Sequence, residues 1–186
     1  ETDLVNAKQQ LMEMIKKINR TTTELFKNTF DRINDNFQGM FAKLFNGGSA
    51  KLVLVNEEDV LDCGIEIIAR PPGKRLQNVS LLSGGERTLT AVALLFAIYM
   101  IKPSPFCLLD ELDAALDEAN IGRFVTALQE FIQQSQFVVI THNRNTIAAA
   151  SVLYGVTMPE KGISRVVSMK FKSREEKDAA VAQAAE

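Results

Sequence analysis

Three short clusters in this sequence carry side chains suited to handling a phosphate group. The first is Ser83-Gly84-Gly85-Glu86 within "SLLSGGERTL", a hydroxyl and two glycines where a helix is predicted to begin. Helix N-termini favour anions, because their first N–H groups lack carbonyl partners and the macrodipole is positive there. The same residues also form a capping box, serine at N-cap and glutamate at N3, which needs no ligand. Two consecutive glycines, each costing about 1 kcal/mol against alanine inside a helix, are less expected of a cap alone. They suit a backbone that a guest must approach closely.

The second cluster, Asp110-Glu111, follows the apolar run "FCLL". In open α/β sheets, ligands bind just outside strand ends of this kind. An aspartate there can hold Mg²⁺ through retained waters, and a glutamate beside it can orient or deprotonate a water. Without a cation, two adjacent carboxylates after a buried strand simply repel. Farther along "ELDAALD", Asp113 and Asp117 are expected to cap the next helix. The third cluster is His142 in "FVVITHN", the sole histidine of the chain. A lone histidine is more often structural than catalytic, and Ser83 lies outside any G-x-S-x-G elbow, which argues against a Ser-His-Asp triad. Its position counts for more. If the strands before Asp110 and His142 pair in parallel, His142 and Glu111 reach the same edge of the sheet.

A lysine-bearing phosphate loop is missing from these 186 residues. Gly73-Lys74 in "PPGKRL" is followed by Arg75 where Ser or Thr is required, and Ile68 stands where the first glycine belongs. "NGGSAK" is spaced wrongly as well. The chain holds pieces of a nucleotide site without the usual cradle.

The elements that must position these groups follow from periodicity. Residues 3–45 read as one helix. Leu4, Ala7, Leu11, Met14, Ile18, Thr21 and Leu25 keep the alternating three–four spacing of a coiled-coil seam. A second register, Phe26, Phe30, Ile33, Phe37, Met40 and Leu44, then takes over, so an arm is expected to enter a globular body near 21–23. "AKLVLV" and "CGIEIIAR" read as strands around the acidic turn "NEEDVLD". A buried helix is expected from Gly85 to Ile101, a strand in "FCLLDE", a helix over 118–134, a strand in "FVVITH" and a helix near 144–151. Two final strands, "VLYGVTM" and "SRVVSMKF", flank the turn Pro159–Gly162. Apolar strands alternating with helices predict an α/β class with a mostly parallel sheet covered on both faces. The expected division is 1–25 arm, 26–172 body and 173–186 a flexible or helical tail.

A globule of this length buries about 70% of its unfolded surface and needs no staples. Cys63 and Cys107 sit in apolar or strand-like runs and resemble no ligand pair, which fits a reducing, cytoplasmic setting. The net charge of −2 shows no basic surplus for nucleic acid. The apolar run from Leu89 to Ile101 is short for a bilayer, and neither a secretory leader nor a membrane partner is expected. A chain opening at Glu1 is expected to be a processed product or a piece of something longer.

Order and spacing converge. "LLSGGE", "FCLLDE", "ALDEAN" and "VITHN" follow one another within about sixty residues, in the order of ABC-type ATPase motifs: signature, Walker B, D-loop and switch histidine. The chain from 50 to 170, including "PPGKRLQNVSLLSGGERTLTAVALLFAIYMIKPSPFCLLDELDAALDEAN", resembles the carboxyl-terminal half of an SMC (structural maintenance of chromosomes) head of prokaryotic type. Leu112 stands where that family usually has valine or isoleucine. The resemblance implies an ABC-ATPase (P-loop NTPase-like) half-head preceded by a coiled-coil helix, with ATP and Mg²⁺ as cofactors. It implies that Asp110 supports Mg²⁺, that Glu111 activates the attacking water, and that His142 touches the γ-phosphate. Ser83, Gly84, Gly85 and Glu86 would belong to the signature facing ATP on a second head, with Asp117 in the D-loop crossing the interface. The amino-terminal half would supply Walker A, so this chain alone is expected to be inactive. Expected partners are that half, a second head, a kleisin subunit and, in the full complex, DNA near the nucleoid. A kleisin-binding platform, a coiled-coil DNA-repair ATPase and a transporter subunit are the alternative readings; the heptad arm argues against the last.

Overall fold

The computed structural model describes residues 2–56 and 60–170 and divides into two units, 1–103 and 104–186. The expected tail, 173–186, lies outside the described residues.

The first unit is built on α1 (Thr2–Phe45), a helix of 44 residues and so about 66 Å long at 1.5 Å per residue. The register change has a packing cause. The early seam, including Leu4, Leu11, Met14 and Ile18, is exposed, whereas Phe37, Met40 and Leu44 are buried. Phe41 stacks on Phe45 with ring centroids 4.1 Å apart. The helix stops where the chain turns left-handed at Asn46 (φ 55°) and Gly47 (φ 124°), and the Gly47 N–H donates to Ala42 O. A Cβ on Gly48 would lie 2.4 Å from Arg70 O, so that position admits only glycine.

Strands β1 (Ser49–Leu54), β2 (Ile65–Arg70) and β3 (Gln77–Asn78) form an antiparallel sheet in the order β1-β2-β3. Asn34 on α1 accepts the Leu52 N–H at 2.8 Å, pinning helix to sheet. After a 3₁₀ turn, Val79–Leu81, helix α2 (Gly84–Ile101) packs on α1 and buries Leu89, Val92, Ala93 and Phe96. It is the one described helix long and apolar enough to cross a bilayer; in this fold one face of it packs on α1, while Ile98 and Met100 are exposed.

The second unit contains β4 (Phe106–Asp110), α3 (Glu118–Gln129), β5 (Gln136–Ile140) and α4 (Arg144–Ala149). A hairpin of β6 (Val152–Glu160) and β7 (Ile163–Lys170) follows. Helix α3 ends at Gln129, short of 134, because the next turns use i→i+3 bonds from Glu130, Phe131 and Gln134. The final hairpin turns at Lys161-Gly162, tighter than expected, with a register shift between Thr157 and Glu160 around Pro159.

The expectation of a mostly parallel, covered sheet needs correction. Among the described residues only β4–β5 is parallel; β1–β2, β2–β3 and β6–β7 are antiparallel. Short connections can only produce antiparallel neighbours, and among these pairs β4 and β5 alone are joined through a helix. Nor are those strands covered on both faces: Leu108 is 62% exposed and Val138 50%, while Leu109 on the other face is buried. Runs apolar on both faces are typical of strands buried on both sides. In this chain one of those faces lies open.

Candidate functional site

The sequence-predicted residues fall in two clusters, one in each unit. In the first unit Ser83 is the N-cap of α2, in extended conformation (φ −63°, ψ 162°). The Glu86 carboxylate gathers the turn: its Oε2 accepts from Ser83 N–H at 3.1 Å and from the Ser83 hydroxyl at 2.8 Å. Lys74 Nζ lies 2.9 Å from the same carboxylate. Lys74 first, with the Ser83 bonds, holds the Glu86 carboxyl below the ordinary glutamate value against a smaller opposing effect of burial. Arg87 braces the loop from behind, donating through Nη2 to Ser80 O at 3.0 Å and Leu82 O at 3.3 Å. A Cβ on Gly84 would meet nothing within 4 Å. No internal packing therefore demands that glycine, and its exposed backbone fits close approach by a phosphate. Sequence reasoning found the capping box but missed Lys74 and Arg87, whose roles depend on how the loop folds back.

In the second unit the parallel register pairs Asp110 with Ile140, so both strands end at one edge. The Glu111 N–H donates to Ile140 O at 2.9 Å, continuing the ladder one residue past β4. Glu111 adopts φ +48°, a left-handed conformation uncommon outside glycine and concentrated at functional sites. Its Oε1 stands 4.0 Å from His142 Nδ1, and both side chains are largely exposed. The structure thus brings Asp110, Glu111 and His142 together on one open edge.

The described residues contain no group of three or more His, Cys, Asp or Glu side chains able to enclose a metal. An exposed Asp110 beside Glu111 instead fits Mg²⁺, which is commonly held by one or two carboxylates plus waters and substrate phosphates. Cavities of about 310 and 290 Å³ lie around Lys51 and around Phe30, and neither is lined by any residue of the two clusters. Cys107 is pushed to a raised thiol pKa by burial, and Cys63 Sγ donates to Val60 O at 3.4 Å, so neither thiol is set up as a nucleophile.

Asp117 behaves as expected of a cap, accepting the Asn120 N–H at 2.8 Å at the start of α3. Asp113 does not. It is 2% exposed and accepts hydroxyl hydrogen bonds from Thr141 and Thr146, 28 and 33 residues away in sequence. Its reading as a helix cap is corrected: the turn 111–116 carries it inward to the loop that bears His142.

Residues 5–165 match the family described as RecF/RecN/SMC N terminal domain. The chain belongs to that family. It is 54% identical over 170 residues to the chromosome partition protein Smc of Myxococcus xanthus, covering 91% of this chain. The match covers only 14% of that relative's length. The fold is an α/β ATPase-type fold shared with solved SMC heads. One is a chain from work on ATP-driven dimerization and DNA-stimulated activation of SMC ATPases, with TM-score 0.77 and 41% identity over 88% of this chain and 98% of that one. Another is the Pyrococcus furiosus Smc head domain with an extended coiled coil, bound to the C-terminal domain of ScpA. It gives a TM-score of 0.79 and 41% identity over 98% of this chain and 44% of that one.

Proposed function

We propose that this chain is the carboxyl-terminal half of an SMC ATPase head, completing an ATP site when joined by a Walker A-bearing half and a second head. The observation that carries this reading is the shared edge of β4 and β5, where Asp110, Glu111 and His142 stand together with no lysine-bearing loop in the sequence. The open apolar face of those two strands, with Leu108 and Val138, supports it, since it suits a layer supplied by another segment. Bound Mg²⁺ would neutralise charge developing on the phosphates. Asp110 would hold Mg²⁺, Glu111 would accept a proton from the attacking water, and His142 would donate a hydrogen bond to the terminal phosphate. Ser83, Gly84 and Gly85 present hydroxyl and backbone N–H donors to the nucleotide of the opposite head, while Glu86 fixes their turn. Asp117 sits in the loop that crosses between heads.

Because the groups are divided among surfaces, turnover requires engagement, and loss of the terminal phosphate releases the heads. The work done is chromosome organisation and partition in the nucleoid, with DNA and a kleisin subunit as partners. The deciding experiment mixes this chain with its Walker A-bearing half. Magnesium-dependent ATP hydrolysis should appear only in the mixture and rise with head concentration. Substantial hydrolysis by this chain alone would overturn the reading.

A second reading, a kleisin-binding platform, is favoured by the β6–β7 hairpin. It exposes Tyr154, Val156, Met158 and Val166, with Val156 at 72%. Capture of a kleisin C-terminal domain that survives both Ser83→Arg and Glu111→Gln, and is lost with Tyr154→Glu plus Val156→Glu, would show that the two functions use separate surfaces. Capture unaffected by the hairpin changes would refute this surface.

A further inference from the structure

Asp113 is the most deeply buried carboxylate among the described residues, and the proposed chemistry does not use it. Its Oδ2 accepts the Thr141 hydroxyl at 2.6 Å and the Thr146 hydroxyl at 2.5 Å, within the range of hydroxyl-to-carboxylate bonds. Its Oδ1 is buried without a hydrogen-bond partner among the described residues. Buried polar atoms are nearly always satisfied, so retaining such an oxygen is costly to the fold. Thr141 is a relay as well as a donor, for its Oγ1 accepts the Asn143 N–H at 2.9 Å. Asn143 in turn caps α4, accepting the N–H groups of Asn145 and Thr146.

His142 therefore sits between two residues that are both fixed, directly or through one hydroxyl, to Asp113. On the other side, Asp113 lies two residues from Glu111 in a turn closed by the Ala114 N–H donating to Glu111 O at 3.2 Å. The Glu111 N–H bond to Ile140 O adds a second tie between the same two loops. One side-chain oxygen thus accepts two hydroxyls at once.

We propose that Asp113, with Thr141 and Thr146, is a positioning latch that holds the His142 loop at the Glu111 loop, touching neither nucleotide nor water itself. This rests on the reading of Glu111 and His142 as catalytic. An error in loop placement of order 1 Å can cost about 100-fold in rate while leaving binding contacts elsewhere intact. The latch should therefore govern kcat more than KM.

The test uses the complete head, this chain joined with its Walker A-bearing half, and compares isosteric with conservative changes. Thr141→Val and Thr146→Val remove the donated hydrogen bonds at nearly constant volume, while Thr141→Ser and Thr146→Ser keep the hydroxyls. Each Val variant and Asp113→Ala, which removes the shared acceptor, should lower kcat about 10- to 100-fold with KM changed by no more than about twofold, and the Ser variants should stay near wild type. Asp113→Ala should do little further harm in a His142→Ala background, because both act through one group.

A readout independent of turnover is available because this chain has a single histidine. With ¹³C-histidine incorporated into this chain only, the His142 ring should give one NMR signal that shifts or broadens in the Val variants and not in the Ser variants. Val variants with wild-type kcat and an unmoved His142 signal would overturn the latch, as would losses that add in full to His142→Ala. A wild-type head unable to hydrolyse ATP would instead refute the catalytic reading, and the ring signal would still judge the latch.

Discussion

The turn at the start of α2 makes a quantitative prediction, because a single side chain organises it. Replacing Glu86 with alanine removes the acceptor for Ser83 N–H, for the Ser83 hydroxyl and for Lys74 Nζ. Loss of capping interactions costs about 1 kcal/mol, within a range of roughly 0.5–2. The Lys74 pair adds little, at most about 1 kcal/mol, because Lys74 is half exposed and solvent screens the pair. Together these give about 1–2 kcal/mol, or a fall in Tm of about 3–6 °C for a domain of this size. Lys74→Ala should reproduce only the smaller, salt-sensitive part.

The pH dependence has a definite sign. The Glu86 carboxyl is held below its ordinary value of 4.5, chiefly by Lys74. Its contribution is complete above that value and is lost as pH falls through the lowered one. Denaturant unfolding of wild type and Glu86→Gln should therefore differ most at neutral pH and converge as pH falls below 4.5. A gap of constant size across that range, or a Glu86→Ala head as stable as wild type, would refute the account of the turn. The same substitution frees the Ser83 hydroxyl from its intramolecular acceptor, so head engagement measured alongside separates stability from nucleotide contact.

Other outcomes are more direct. Glu111→Gln should keep nucleotide binding, lower turnover by about 10²–10⁴-fold and prolong head dimers in ATP, seen by size-exclusion chromatography. A variant that stays monomeric while wild type dimerises would count against Glu111 as the base. Phe41→Ala, at the centre of the α1 aromatic stack, should destabilise the first unit by about 3–5 kcal/mol in denaturant titrations. A cost below about 1 kcal/mol would mean that the stack contributes little to the core.

Much of this arrangement was legible in the sequence where local signals suffice. The phenylalanine register from Phe26 to Leu44 marked the stretch of α1 that enters the core, and Asn46-Gly47-Gly48 marked its end. The apolar runs before Asp110 and His142 placed both groups at strand ends, and a helix between them is what allows parallel pairing. Asp113 was misread for a physical reason. A carboxylate shortly before a helix looks like a cap by local rules, and only tertiary folding brings Thr141 and Thr146 to it. The sheet was over-read for a related reason. Apolarity on two faces reports that a strand will be covered, but not that its own chain supplies the cover.

That last distinction has a consequence for how such a protein comes to be folded. Strands like β4 and β5, with a greasy face left open, are hazardous to keep waiting, because any extended stranger can add to their margins. Their stability is then linked by mass action to the arrival of a mate, so the second unit should melt at a temperature set by how much of that mate is present. An orphaned copy would be a short-lived one, cleared by proteases before it could occupy a productive complex.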